Sequence, residues 1–142
     1  MTIDEYLEKT YWLIDILPKQ VPANSRGQYF RIEKYWLGQP QFGCICLKFA
    51  SLLMKLNCYY DVFVADAADA APVGLQPETL EEMLTSGVAV YMLVEPGDAM
   101  IGFSGDDHYM TLYNPDDELL ELVRQCAQAE GLFVWGPKQT EP

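Results

Sequence analysis

Two residues of this chain are placed where their chemistry could combine. Cys46 stands in the first turn of a stretch with helical apolar spacing. The amide dipoles of a helix N-terminus favour the thiolate, which is the nucleophilic form of cysteine. His108, the only histidine, stands at the start of a strand-like run and has the side chain suited to a general base. A Cys46–His108 pair would make a small cysteine-dependent hydrolase or transferase. Against that stands the position of Cys46 on one apolar stripe with Phe49 and Leu53. That stripe predicts a thiol packed in the core, beyond hydrogen-bond reach of His108.

The segment Cys46-Leu47-Lys48-Phe49-Ala50 resembles the nucleophile segment of papain-like hydrolases, in which an alanine follows the cysteine by four residues. His108, with Tyr113, Asn114 and Pro115 after it, resembles the histidine strand of that family. The resemblance implies a helix-borne cysteine facing a histidine on an antiparallel sheet. It covers two short pieces of the chain. The family's orienting acid belongs on the next strand, but a helix follows here and Leu132–Trp135 carries no acid.

A second candidate is the run from Arg26 to Leu37, which holds four aromatics and the bases Arg26, Arg31 and Lys34. Arg, Tyr and Trp are the side chains enriched at protein–protein hot spots. On a helix Tyr29, Ile32 and Trp36 share one face, and Arg31, Lys34 and Tyr35 the opposite one. Arg26, Arg31, Lys34 and Tyr35 are therefore the candidate binding residues. The bases are expected to stay exposed, as a cationic island beside Glu33 alone. A third candidate is acidic: Asp106 and Asp107 in one turn, then Asp116, Asp117, Glu118 and Glu121. It reads as a divalent-ion site, as a face for a basic partner, or as ordinary placement of carboxylates at a helix N-terminus. No calcium loop, phosphate-cradling glycine loop or nucleophile elbow is present. Cys44-Ile45-Cys46 is spaced too tightly for a zinc knuckle. No metal and no cofactor is expected.

The elements that must position these residues are legible as patterns. Thr2-x-x-Glu5 is a capping box, and Ile3, Tyr6, Leu7, Tyr11, Ile14 and Leu17 continue at helical spacing until Pro18. Residues 18–25 read as a loop. Helices are predicted over about 26–37 and about 43–56, then a strand over 59–64. Residues 65–75, rich in alanine, read as a connection that could be mobile. Pro77 opens a short helix that Gly87 closes. Val88–Val94, Ala99–Ser104 and Tyr109–Tyr113 read as strands joined by short turns, hence an antiparallel meander. Asn114-Pro115 starts a last helix ending at Gly131, and Leu132–Trp135 is a final strand. Residues 138–142 form a polar tail.

This order predicts an α+β fold: a mainly antiparallel sheet of about five strands, N-terminal helices before it, and helices packed on one face. The chain's 142 residues suit a single globular domain over 1–142. Half of them are hydrophobic, so a sizeable core is available. No run approaches the ~20 apolar residues of a membrane span. The acidic start lacks the basic and apolar pattern of a secretory signal, and four cysteines fit a reducing compartment. A cytoplasmic protein is the expectation.

The net charge of −12 is unevenly spread. Residues 26–60 carry five bases against Glu33, whereas residues 61–142 carry sixteen acids against two bases. A field of this sign disfavours direct nucleic-acid binding, which depends on neutralising phosphates. The leading expectation is a non-enzymatic protein-interaction domain whose partner is another protein or a second copy. The alternatives are the Cys46–His108 enzyme and an acidic decoy that occupies a nucleic-acid-binding protein.

Overall fold

The first departure from the sequence pattern comes at residue 8. The computed structural model describes residues 2–65, 72–105 and 107–136, apart from the side chains of Ser25 and Arg26. The capping box forms as expected: Thr2 Oγ1 accepts from the Glu5 amide at 3.2 Å and Glu5 accepts from the Thr2 amide at 3.0 Å. The helix it starts, α1, covers only Ile3–Leu7. Tyr11–Asp15 is not its continuation but strand β1. The run Tyr11-Trp12-Leu13-Ile14 holds aromatic and β-branched side chains that favour a pleated surface. Pairing with two neighbours outweighs an apolar spacing that fits a helix on paper.

The remaining elements are α2 (Arg26–Leu37), α3 (Gln41–Asn57), β2 (Asp61–Ala65), β3 (Val73–Gly74), α4 (Pro77–Leu84), β4 (Val90–Glu95), β5 (Ala99–Phe103), β6 (Tyr109–Tyr113), α5 (Asp117–Ala129) and β7 (Phe133–Trp135). The strands form one sheet of seven, ordered β3-β2-β4-β5-β6-β1-β7, antiparallel throughout. The α+β class holds, and β4, β5 and β6 are the antiparallel meander that their short turns require. The sheet exceeds the expected five strands by β1 and by the two-residue β3. The latter lies inside the 65–75 connection, whose residues 66–71 fall outside the described residues, as do 138–142.

Register explains the two faces. Val62, Val94 and Ala99 lie in one row, Met92, Ile101 and Leu112 in the next. These side chains form the core with Phe49, Leu52, Leu53 and Leu56 of α3, Leu80 and Leu84 of α4, and Leu119 and Val123 of α5. The opposite face carries Tyr91, Gly102, Thr111 and Leu13 in register. Leu7 of α1 shares a cavity of about 90 Å³ with Tyr91, Gly102, Thr111 and Tyr113. Helices therefore meet both faces, where one covered face was expected.

Two local corrections concern α5 and α2. The cap of α5 is Asp116, whose Oδ1 accepts from the Leu119 amide at 2.8 Å. Asn114 instead takes a left-handed conformation (φ 60°) and donates to the Asp98 carbonyl at 2.7 Å, tying β6 to the β4–β5 turn. On α2, Ile32 is 44% exposed and so leaves the inner face that its spacing predicted. Glu33 turns inward beside Tyr29 instead.

The β5–β6 turn depends on Gly105, with φ +88°. A Cβ there would lie 2.7 Å from the Gly87 carbonyl carbon and 2.9 Å from the Val88 oxygen, both backbone atoms that cannot swing away. Gly105→Ala is expected to cost about 1–3 kcal/mol through backbone strain, read as a lower urea midpoint. Gly27→Ala on α2 meets nothing within 4 Å and is expected to stabilise by about 0.4–1 kcal/mol. Equal effects at the two glycines would refute the steric account.

Candidate functional site

His108 and Asp15 are the two buried polar residues among the described ones, each 2% exposed. β1 delivers Asp15 and the residue before β6 delivers His108; Asp15 pairs with Tyr109 in the sheet, which brings the two side chains together. His108 Nδ1 lies 3.0 Å from Asp15 Oδ1. On the other side of the ring, Nε2 lies 2.7 Å from the Tyr29 hydroxyl and 3.2 Å from Glu33 Oε2. The Tyr29 hydroxyl is itself 2.8 Å from Glu33 Oε2. Tyr29 and Glu33 are one turn apart on α2, so both reach the same ring. Trp36, a further turn along, meets the imidazole edge-on with centroids 6.0 Å apart.

The donors and acceptors of this cluster favour a charged ring. An ionised carboxylate only accepts, so Nδ1 must donate to Asp15. Tyr29 has one proton to give. If it donates to Glu33, Nε2 must donate to Tyr29 and Glu33, and the ring is an imidazolium between two carboxylates. If Tyr29 donated to Nε2, Glu33 would turn to water for its donor, since its side chain is 30% exposed. The charged ring satisfies every group. Burial, the largest single influence, pulls the His108 pKa down; the hydrogen bond and charge of Asp15 and then the charge of Glu33 together outweigh it, and the pKa lies above the ordinary 6.5. Burial, followed by the bond and charge of Glu33, pushes the Tyr29 phenol up, so it stays protonated.

A cleft of about 270 Å³ opens beside this cluster, lined by Leu13, Asp15, Leu17, Lys19, Tyr29, His108, Tyr109 and Trp135 among others. An Asp-held histidine next to a cleft has the parts of a general base. Here Tyr29 and Glu33 occupy the Nε2 side of the ring and close it off. The arrangement is a closed network that fastens α2 to the sheet.

Cys46 lies elsewhere. It is fully buried, and its thiol donates to the Leu84 carbonyl at 3.9 Å. Burial, then the nearby charge of Glu81, pushes its pKa up to about 11. The structure thus does not join Cys46 to His108: the thiol faces α4 and both ring nitrogens have other partners. Asn114, after the histidine strand, is engaged with the Asp98 carbonyl and not with the ring. Among the described residues no group of three or more His, Cys, Asp or Glu could hold a metal ion. No helix is long and apolar enough to cross a membrane, again among the described residues.

The outer face of α2 carries most of the remaining candidates. Arg31, Lys34 and Tyr35 are exposed, and Phe30 joins them at 55%. Arg26 begins the helix, but its side chain is outside the described residues. No carboxylate among the described residues pairs with Arg31 or Lys34. Gln41, the first residue of α3, donates to the Tyr35 hydroxyl at 2.8 Å and holds that ring in place.

Asp15, Glu33 and Tyr29 were not candidates from sequence. The signal existed: Asp15 is the one acid in an otherwise apolar run, and Glu33 falls four residues after Tyr29 and three before Trp36. Comparison with family models, curated proteins and solved structures finds no match to this chain.

Proposed function

We propose that this chain is a protein-interaction domain that takes its partner on the outer face of α2. The supporting observation is the exposure of three large apolar side chains, Phe30, Ile32 and Tyr35 at 55%, 44% and 62%, along with Arg31 and Lys34, which pair with no carboxylate among the described residues. Single exposed apolar residues are ordinary. Three between residues 30 and 35 concentrate apolar surface on one stretch of α2, and its aromatics and arginine are the types that anchor interfaces. The buried network on the inner face fixes the helix before any partner arrives, which lowers the ordering cost of binding. A fitting partner surface is apolar with an acidic rim. A second copy offers acids of that kind, since residues 61–142 carry sixteen. The cysteine-hydrolase reading draws no support from the geometry around Cys46.

The test is photocrosslinking with the reactive side chain in place of Tyr35, in the purified chain and in cells of its host. One dominant product is expected from position 35, and a dimer of the purified chain if the partner is a second copy. Its yield should fall in Phe30→Ala and Arg31→Ala variants, and as salt screens the charges. The same products in the same yield from the exposed position of Glu78 on α4 would sink the reading.

A further inference from the structure

A separate cleft of about 550 Å³ lies at the other charged region of the molecule, lined by Tyr59, Tyr60, Pro96, Gly97, Asp116, Glu118 and Leu122. Three segments build it. Tyr59 and Tyr60 follow α3, Pro96 and Gly97 form the β4–β5 turn, and Asp116 and Glu118 stand at the start of α5. Two phenol rings, one of them 71% exposed, form aromatic wall. Two carboxylates stand with them, and no base is among the lining residues. Asp116 commits Oδ1 to capping α5, while Glu118 has no ion-pair partner among the described residues. Both carboxylates lie near enough to the Tyr60 phenol to raise its pKa, after the larger effect of burial.

We infer that this cleft binds a cationic side chain, an arginine or lysine carried on a basic segment of a partner protein. The chemistry follows from the walls. Ring faces attract guanidinium and ammonium groups, and carboxylates accept their hydrogen bonds. The apolar surface of Pro96 and Leu122 suits the methylene stem of such a side chain. The volume falls in the range of ligand pockets, roughly 300–1,000 Å³, which is room for more than one side chain and so favours a segment of chain. Residues 61–142, which supply five of the seven lining positions, hold sixteen acids that steer a basic partner toward it. The inference is independent of the α2 face, whose bases call for an acidic partner.

Calorimetric titration of the full chain with hexa-arginine at low salt tests it, alongside spermine as a free organic cation. Tyr59→Ala and Glu118→Gln are each expected to weaken hexa-arginine binding about two- to fivefold, and Tyr59→Phe to retain it. Both positions are exposed, and Asp116 is left alone because it caps α5. Glu82→Gln, an exposed acid on α4, should have no effect. Three outcomes overturn the inference: no binding of hexa-arginine, equal weakening by Glu82→Gln, or spermine binding as tightly with the same dependence on Tyr59 and Glu118. The last would make the cleft a site for free polyamines.

Discussion

Replacing His108 with alanine is expected to remove about 3–5 kcal/mol of folding stability, because it leaves a buried charge without its partner. Asp15 is 2% exposed, and His108 is its only side-chain hydrogen-bond partner among the described residues. Glu33 loses a contact too, but it is partly exposed and water compensates it. The same substitution unfastens α2 from the sheet, since Tyr29 and Glu33 both bond across the imidazole. Urea denaturation of His108→Ala, Asp15→Ala and the double variant reads the coupling. The double variant should cost less than the two single losses added together, as expected of groups in one network. Additive losses, with His108→Ala below about 1 kcal/mol, a size typical of exposed ion pairs, would dismiss the buried ion pair.

The network also fixes the direction of a pH effect. The folded-state pKa of His108 lies above its unfolded value of 6.5. The folded protein then binds the proton more tightly, and the stabilisation is complete below 6.5. It declines as pH rises above 6.5 and is lost once pH passes the folded value. Wild-type urea midpoints should therefore fall on the alkaline side of 6.5, and the His108→Ala variant should lack that part of the slope. The groups facing the ring are Asp15 from β1, Glu33, Tyr29 and Trp36 from α2, and Tyr109 beside it in sequence, and of these the two carboxylates favour its charged form.

The meander, α3 and α5 are legible in the sequence because each announces itself locally, through strand-like runs joined by short turns or through a long apolar stripe. β1 is hidden because the unbroken apolar run 11–14 fits a helix as well as a strand. Only the pairing of Tyr11–Asp15 with β6 and β7, far away in the chain, resolves that ambiguity. The error hid the site. With residues 3–17 read as one helix, Asp15 had no route to His108, 93 residues later. His108 was singled out as the one histidine, yet its partners came from non-local contacts and not from the cysteine that helical position suggested. Glu33 was legible as polar and illegible as inward-facing, since Ile32 beside it is the residue that hydrophobicity alone would turn to the core.

The same ambiguity separates two phenylalanines that look alike in sequence and should behave as opposites. Phe49 is fully buried on α3, its ring tilted against Phe103 at 5.6 Å, while Phe42 stacks on Phe103 at 6.4 Å. Phe103 of β5 thus packs against two α3 rings at once, and this contact seats the central helix on the middle of the sheet. Phe49→Ala removes apolar contacts and leaves a cavity that rigid neighbours on helix and strand cannot fill, so it is expected to cost about 3–5 kcal/mol. Phe30 stands 55% exposed on α2, and Phe30→Ala should change stability by no more than about 0.5 kcal/mol. Urea denaturation of the two variants compares them directly. The binding readout should reverse the order: Phe30→Ala weakens crosslinking from position 35 in a fully folded chain. Phe49→Ala should cut crosslinking only in proportion to the fraction unfolded. A Phe30→Ala variant as destabilised as Phe49→Ala would mean that Phe30 belongs to the core, and α2 would keep only Tyr35 as an exposed aromatic to offer a partner.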